Sequence, residues 1–254
     1  MKEKIIFSCV VIVIILLISI ITGKIQDIFI KTFDPGYTII KDKILLYKDK
    51  DGWQETSLDS NDAKKAYKKK YFVYTTSTHF NGYIDYQNNN WFSVVKDKGT
   101  IIKGFRLATL KNNISPAQYK TYEGTDDDDE LVTDIINEIG GNFNKQYRYN
   151  KIIYDLDNDG IDENVYFVTN ITLDPDSYIP QSVIFVEKNN KTTIIDKAHI
   201  YKFDIEEVID LDNDNHYELI VSKSKKTSNT EYTTCFQIYS LKDNKWQKIK
   251  KCKV

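Results

Sequence analysis

Residues 155–163 read Asp-Leu-Asp-Asn-Asp-Gly-Ile-Asp-Glu, and residues 210–218 read Asp-Leu-Asp-Asn-Asp-Asn-His-Tyr-Glu. Both place acidic side chains at the first, third, fifth and ninth positions. In the first copy these are Asp155, Asp157, Asp159 and Glu163; in the second they are Asp210, Asp212, Asp214 and Glu218. Four carboxylates in so short a loop repel one another, and a hard dication with about six to eight oxygen ligands relieves that repulsion. The pattern therefore points to two structural Ca2+ sites. The seventh position, Ile161 or His216, would add a backbone carbonyl to each.

The spacing also identifies the kind of loop. An EF-hand needs a bidentate Glu at about position 12 and flanking helices, but that position is Tyr166 in one copy and Val221 in the other. Each loop leads into Val165-Tyr166-Phe167-Val168 or Leu219-Ile220-Val221, short β-branched and aromatic runs that read as buried strands. Each unit is thus strand, loop, strand. The sixth position must turn the chain sharply, and Gly160 and Asn215 both tolerate positive φ.

The pattern D-x-D-x-D-G-x-x-[DE] before an apolar strand resembles the calcium loops of FG-GAP (integrin α-type) β-propeller blades and the related VCBS-like bacterial surface repeats, over roughly residues 150–222. The resemblance implies propeller-like repeats, calcium that stiffens loops, and a binding or adhesion role at a cell surface. Residues 146–254 read as two such repeats of about 55 residues. Each ends in a hairpin, around Asn189-Asn190 in the first and Asp243-Asn244 in the second. Two four-stranded units are fewer than a closed propeller needs, so an open stack or sandwich is the other arrangement the pattern allows.

At the amino terminus, 19 uncharged residues from Ile5 to Gly23 lie between Lys4 and Lys24. As a helix they span roughly 28 Å, close to a bilayer's hydrocarbon core. Residues 1–24 read as a transmembrane anchor or an uncleaved signal peptide, because no small-x-small cleavage triplet ends the run. Lysines flank the span on both sides, so the positive-inside bias is weak.

The cysteines bear more directly on compartment. A two-residue turn at Asp243-Asn244 puts Lys242 opposite Lys245 and, seven steps outward along each strand, Cys235 opposite Cys252. That register makes them a non-hydrogen-bonded pair, with Cα atoms about 4.5 Å apart, within disulfide reach. A disulfide implies an oxidising compartment, and calcium loops suit millimolar external calcium. The expected location is the cell membrane, single-pass, with the bulk of the chain extracytoplasmic.

Residues 25–43 read as a linker ending near the turn signal Asp34-Pro35-Gly36. Residues 44–111 read as a β-meander, opening with a hairpin around Lys50-Asp51-Gly52 and interrupted at 60–70 by a Lys-rich helical segment capped by Ser60. Residues 112–145 read as a helical connection, with a short helix opened by Ser115-Pro116 and a longer one over 126–139. There Leu131, Val132, Ile135, Ile136 and Ile139 recur at helical spacing before Gly140-Gly141. The fold class expected is mainly β, with one or two short helices.

With 35 basic against 37 acidic residues, the composition argues against nucleic-acid binding. The three histidines, His79, His199 and His216, form no catalytic motif. The reading is a non-enzymatic, calcium-stabilised module on a membrane anchor, with a protein or glycan ligand that the sequence does not specify. Two rivals remain open: a membrane-tethered hydrolase of envelope polymers using a carboxylate pair, and an accessory of surface assembly or secretion.

Overall fold

The computed structural model describes residues 36–40, 44–49, 51–56, 60–67, 69–87, 90–96, 100–102, 104–111, 113–125, 130–140, 148–172, 180–228, 231–243 and 245–252. The apolar run 5–23 lies outside them. Among the described residues no helix is long and apolar enough to cross a membrane.

The described chain is mainly β, in three antiparallel sheets. The first contains β1 (Thr38–Ile40), β2 (Ile44–Asp49), β3 (Gly52–Thr56), β4 (Lys70–Tyr74), β5 (His79–Gln87), β6 (Asn90–Lys96), β7 (Thr100–Ile102) and β8 (Leu107–Thr109), in the order β3-β2-β1-β8-β4-β5-β6-β7. The second contains β9 (Lys120–Thr125), β10 (Arg148–Tyr154), β11 (Glu163–Thr172), β12 (Pro180–Lys188) and β13 (Lys191–His199), in the order β13-β12-β11-β10-β9. The third is a four-stranded meander of β14 (Lys202–Ile209), β15 (Glu218–Lys226), β16 (Tyr232–Lys242) and β17 (Lys245–Lys250). Two helices lie among the described residues, α1 (Asn61–Ala66) and α2 (Glu130–Glu138).

Alternation along β15 shows how the sheets stack. Leu219 and Val221 pack with Ile152, Val165, Phe167 and Ile184 of the second sheet. Ile220, pointing the other way as period-2 geometry requires, packs with Ile40, Ile44, Leu46 and Leu107 of the first. The third sheet is therefore the middle layer, buried on both faces, which is why its strand reads as an unbroken apolar run. Helix α2 covers the far face of the second sheet, with Val132, Ile135 and Ile136 against Tyr166, Val168 and Phe185. Helix α1 covers the far face of the first, with Ala63 and Ala66 against Leu45, Tyr71 and Val73. The result is an open stack of five layers, helix, sheet, sheet, sheet, helix.

Much of the local reading holds. The two repeats form strand, acidic loop, strand and hairpin as expected, and Asn189 and Asn190 both take positive φ in their turn, 52° and 60°. Ser60 caps α1, its side chain accepting a hydrogen bond from the Ala63 amide.

Other expectations are corrected. Residues 44–111 do not form a simple meander. The run from Thr100 to Leu110 breaks at Gly104, whose φ is +77°, and β8 inserts between β1 and β4. Strand β1 itself lies within the stretch read as linker. No helix begins at Ser115-Pro116; Pro116 forms a bridge to Ile209, and the Ala117 amide donates to the Val208 carbonyl at 2.9 Å. Tertiary burial overrides the local capping signal there, since Ile114 and Ala117 are both buried. Residues 120–125, also read as part of the helical connection, form β9. Gly124 fits there because a Cβ on it would come within 2.3 Å of the Tyr149 ring.

The Cys235–Cys252 disulfide is present, with Cα atoms 5.5 Å apart, but its register differs from the expected one. The pairs from Lys242–Lys245 to Tyr239–Lys248 keep to the predicted ladder, and then a bulge shifts Ile238 to Lys250. The disulfide accordingly closes beyond the last residue of β17, not within the ladder.

Candidate metal centres

The acidic loops join β10 to β11 and β14 to β15. In each, an aspartate at the first position acts as an internal cap. Asp155 accepts from the amides of Asp159 at 3.0 Å and Gly160 at 2.9 Å. Asp210 accepts from Asn213 at 2.6 Å, Asp214 at 3.2 Å and Asn215 at 3.1 Å. Positive φ occurs at the sixth position as expected, at Gly160 (88°) and Asn215 (68°), and also at the fourth, at Asn158 (57°) and Asn213 (65°). Asn tolerates that region because its short polar side chain bonds locally.

The ninth-position glutamates reach back under the loops. Glu163 Oε2 accepts from the Leu156 amide at 2.6 Å, and Glu218 Oε2 accepts from the Leu211 amide at 2.8 Å. They are 2% and 1% exposed, so each is a buried carboxylate held by one backbone donor. In the first loop Asp155, Asp157 and Glu163 bring one carboxylate oxygen each within 4.8 Å of one another; in the second Asp210, Asp212 and Glu218 do the same. Asp159 and Asp214 are not members of these triads and accept from the Ile161 and His216 amides, both at 2.9 Å. The Ile161 side chain is exposed, and the His216 ring lies half-exposed at the loop edge.

Oxygen-only, carboxylate-rich clusters match the hard-cation donor set of calcium or magnesium and lack the thiolate or imidazole donors that favour zinc or copper.

The loops differ in what faces them. In the first, Lys188 at the end of β12 lies 2.7 Å from Asp157 Oδ2 and 2.9 Å from Asp159 Oδ2, and also contacts Glu163 Oε1. Burial by itself would lower the Lys188 pKa, but hydrogen bonds to these three carboxylates outweigh it and leave the ammonium held above the ordinary lysine range. Burial pushes the Glu163 carboxyl up, against the opposing pull of Lys188. In the second loop Glu218 Oε1 accepts instead from the Ser240 hydroxyl at 2.9 Å. Burial, with the charges of Asp212 and Asp214 adding to it, raises the Glu218 carboxyl to about 7.

A separate groove of about 580 Å³ runs between the edge strands β3 and β17. Trp53 and Ile249 supply apolar surface, and Gln54, Thr56 and Thr234 supply polar surface. Its Glu55 is paired with Lys250 at 2.9 Å. Of the first sheet's aromatics whose sequence positions suit either cross-strand packing or a ligand face, Tyr83 is 48% exposed; the side chains of Tyr86 and Trp91 lie outside the described residues.

The sequence carries no signal for Lys188, which reads there only as a residue flanking a hairpin turn. No protein-family model, no curated protein and no solved structure matches the chain.

Proposed function

We propose that this is a membrane-anchored, extracytoplasmic binding module of the FG-GAP or VCBS-like kind, stiffened by calcium at its second acidic loop. The observation that carries the metal reading is the convergence of three carboxylates in each loop on one small volume, with the innermost glutamate buried. Asp210, Asp212 and Glu218, with Asp214 and the His216 carbonyl close by in sequence, would hold the ion in the second loop. Asp155, Asp157 and Glu163, with Asp159 and the Ile161 carbonyl, are their positional counterparts in the first, where the Lys188 ammonium already lies against three of the carboxylates. Calcium suits such a set because it tolerates irregular oxygen cages, whereas magnesium demands near-ideal octahedral geometry. The ion's role is structural, pinning the turn that joins β14 to β15 in the middle sheet.

The disulfide between Cys235 and Cys252 supports an oxidising location, and the apolar run 5–23 supports attachment to a membrane. The β3–β17 groove is the concave surface on which a protein or glycan ligand would be sought.

Calorimetric titration of the whole chain with calcium tests the metal reading. Saturable binding is expected at or below millimolar calcium, with magnesium much weaker, and Asp212→Asn should weaken it at least tenfold. No heat at millimolar calcium would overturn it.

A further inference from the structure

The two loops share an acidic pattern but not a counter-charge, and the difference lies on a neighbouring strand. Asn164 pairs with Glu187 and Leu219 pairs with Tyr239. One step along each ladder, Lys188 faces Glu163 and Ser240 faces Glu218. A lysine ammonium carries three donors, and this one meets Asp157, Asp159 and Glu163 together. Ser240 offers one neutral hydroxyl.

Both hairpins have a lysine just before the turn, Lys188 and Lys242. The second hairpin extends two residues further past its loop, so Lys242 falls beyond Ser240 and is exposed.

The Lys188 Nζ is 2.7–2.9 Å from oxygens of Asp157 and Asp159. Calcium needs its own oxygens at about 2.3–2.6 Å. Two cations with overlapping oxygen partners in one small cage would repel each other at contact distance, so the ammonium and the ion are mutually exclusive occupants.

We propose that Lys188 is the tethered cation of the first loop, excluding a metal there and leaving the second loop to take the ion alone. This rests on the calcium reading for the second loop, whereas its claim about the first does not. Lys188 thus sets stoichiometry and makes one of two related loops independent of external calcium.

Ion counting by equilibrium dialysis with radioactive calcium tests it on the full chain. The native chain should hold one ion, lost in Asp212→Asn, and Lys188→Ser should hold two. Two ions on the native chain, or no gain in Lys188→Ser, would overturn the proposal.

A second measurement uses chelator and no metal. Lys188→Ser should melt lower than the native chain by roughly 5 °C, and adding Asp157→Asn and Asp159→Asn should restore most of the loss, because those charges are what Lys188 neutralises. Equal melting of Lys188→Ser and the native chain in chelator would overturn the proposal even if calcium binds the second loop. A native chain that binds no ion, beside a Lys188→Ser chain that binds one, would instead sink the calcium reading of the second loop and uphold the role of Lys188.

Discussion

Glu163 and Glu218 are the same residue in the same place, yet their surroundings assign them different work. Each is buried beneath its loop with one backbone amide donating to it. Glu163 meets an ammonium and Glu218 a hydroxyl. In metal-free solution Glu218 has a folded-state pKa of about 7, well above an ordinary glutamate. The folded chain then binds more protons than the unfolded one between roughly pH 4.5 and 7, so this group's contribution is full below that window and is lost as pH rises through it. The loss amounts to roughly 3 kcal/mol at most, at about 1.4 kcal/mol per pKa unit. Denaturant unfolding in chelator at pH 5 and pH 8, comparing the native chain with Glu218→Gln, checks this. The native chain should lose stability relative to the variant as pH rises, and parallel behaviour would contradict the assignment.

Residue spacing makes the acidic positions readable, because alternate carboxylates in a loop have few other uses. Lys188 is not readable, since aligning the two hairpins on their turns matches it with Lys242 and hides its true counterpart, Ser240. Only the strand ladder, which depends on hairpin length, identifies Ser240.

Among the elements, β14 has the most consequential irregularity. Its ladder with β15 shifts between Ile205 and Glu207, leaving Glu206 as the extra residue of a bulge. The bulge coincides with a fully buried Glu207 that meets Arg106 of the first sheet's connection in a bidentate pair, 2.8 Å from Nε to Oε2 and 2.7 Å from Nη2 to Oε1. Arg106 also donates to the Ala117 carbonyl at 2.6 Å, so one guanidinium ties the first sheet, the 113–119 segment and the third sheet together. Removing one partner leaves a buried charge uncompensated. Arg106→Ala should therefore cost about 3–5 kcal/mol by denaturant unfolding, and a loss under about 1 kcal/mol would show that the pair is not a joint between layers.

The strands and hairpins of residues 146–250 are legible because their apolar runs end at Asn and Asp turns. Strand β9 is not, since Lys-Thr-Tyr-Glu-Gly-Thr carries no apolar alternation and gains its conformation from pairing with β10. The segment after Pro116 departs from its sequence reading for the complementary reason: a valid local cap signal loses to burial against β14.

At the scale of the molecule, stacking three sheets between two helices places both acidic loops at joints between strands whose other residues form the shared core. Leu156 and Leu211, the second residues of the loops, are both fully buried, so each loop is anchored by that side chain in the core and by its glutamate beneath the loop, while its aspartates lie nearer the surface. The order of the sheets is not legible from the sequence. It depends on which faces meet, and the middle sheet is apolar on both.

Loop stability and core stability are therefore coupled, and the melting temperature of the whole chain at neutral pH, with millimolar calcium and then with excess chelator, tests the central claim most directly. Calcium at about a hundredfold over its dissociation constant should stabilise the chain by roughly 2.7 kcal/mol, raising the melting temperature by about 5–10 °C. Identical melting in calcium and in chelator would contradict it.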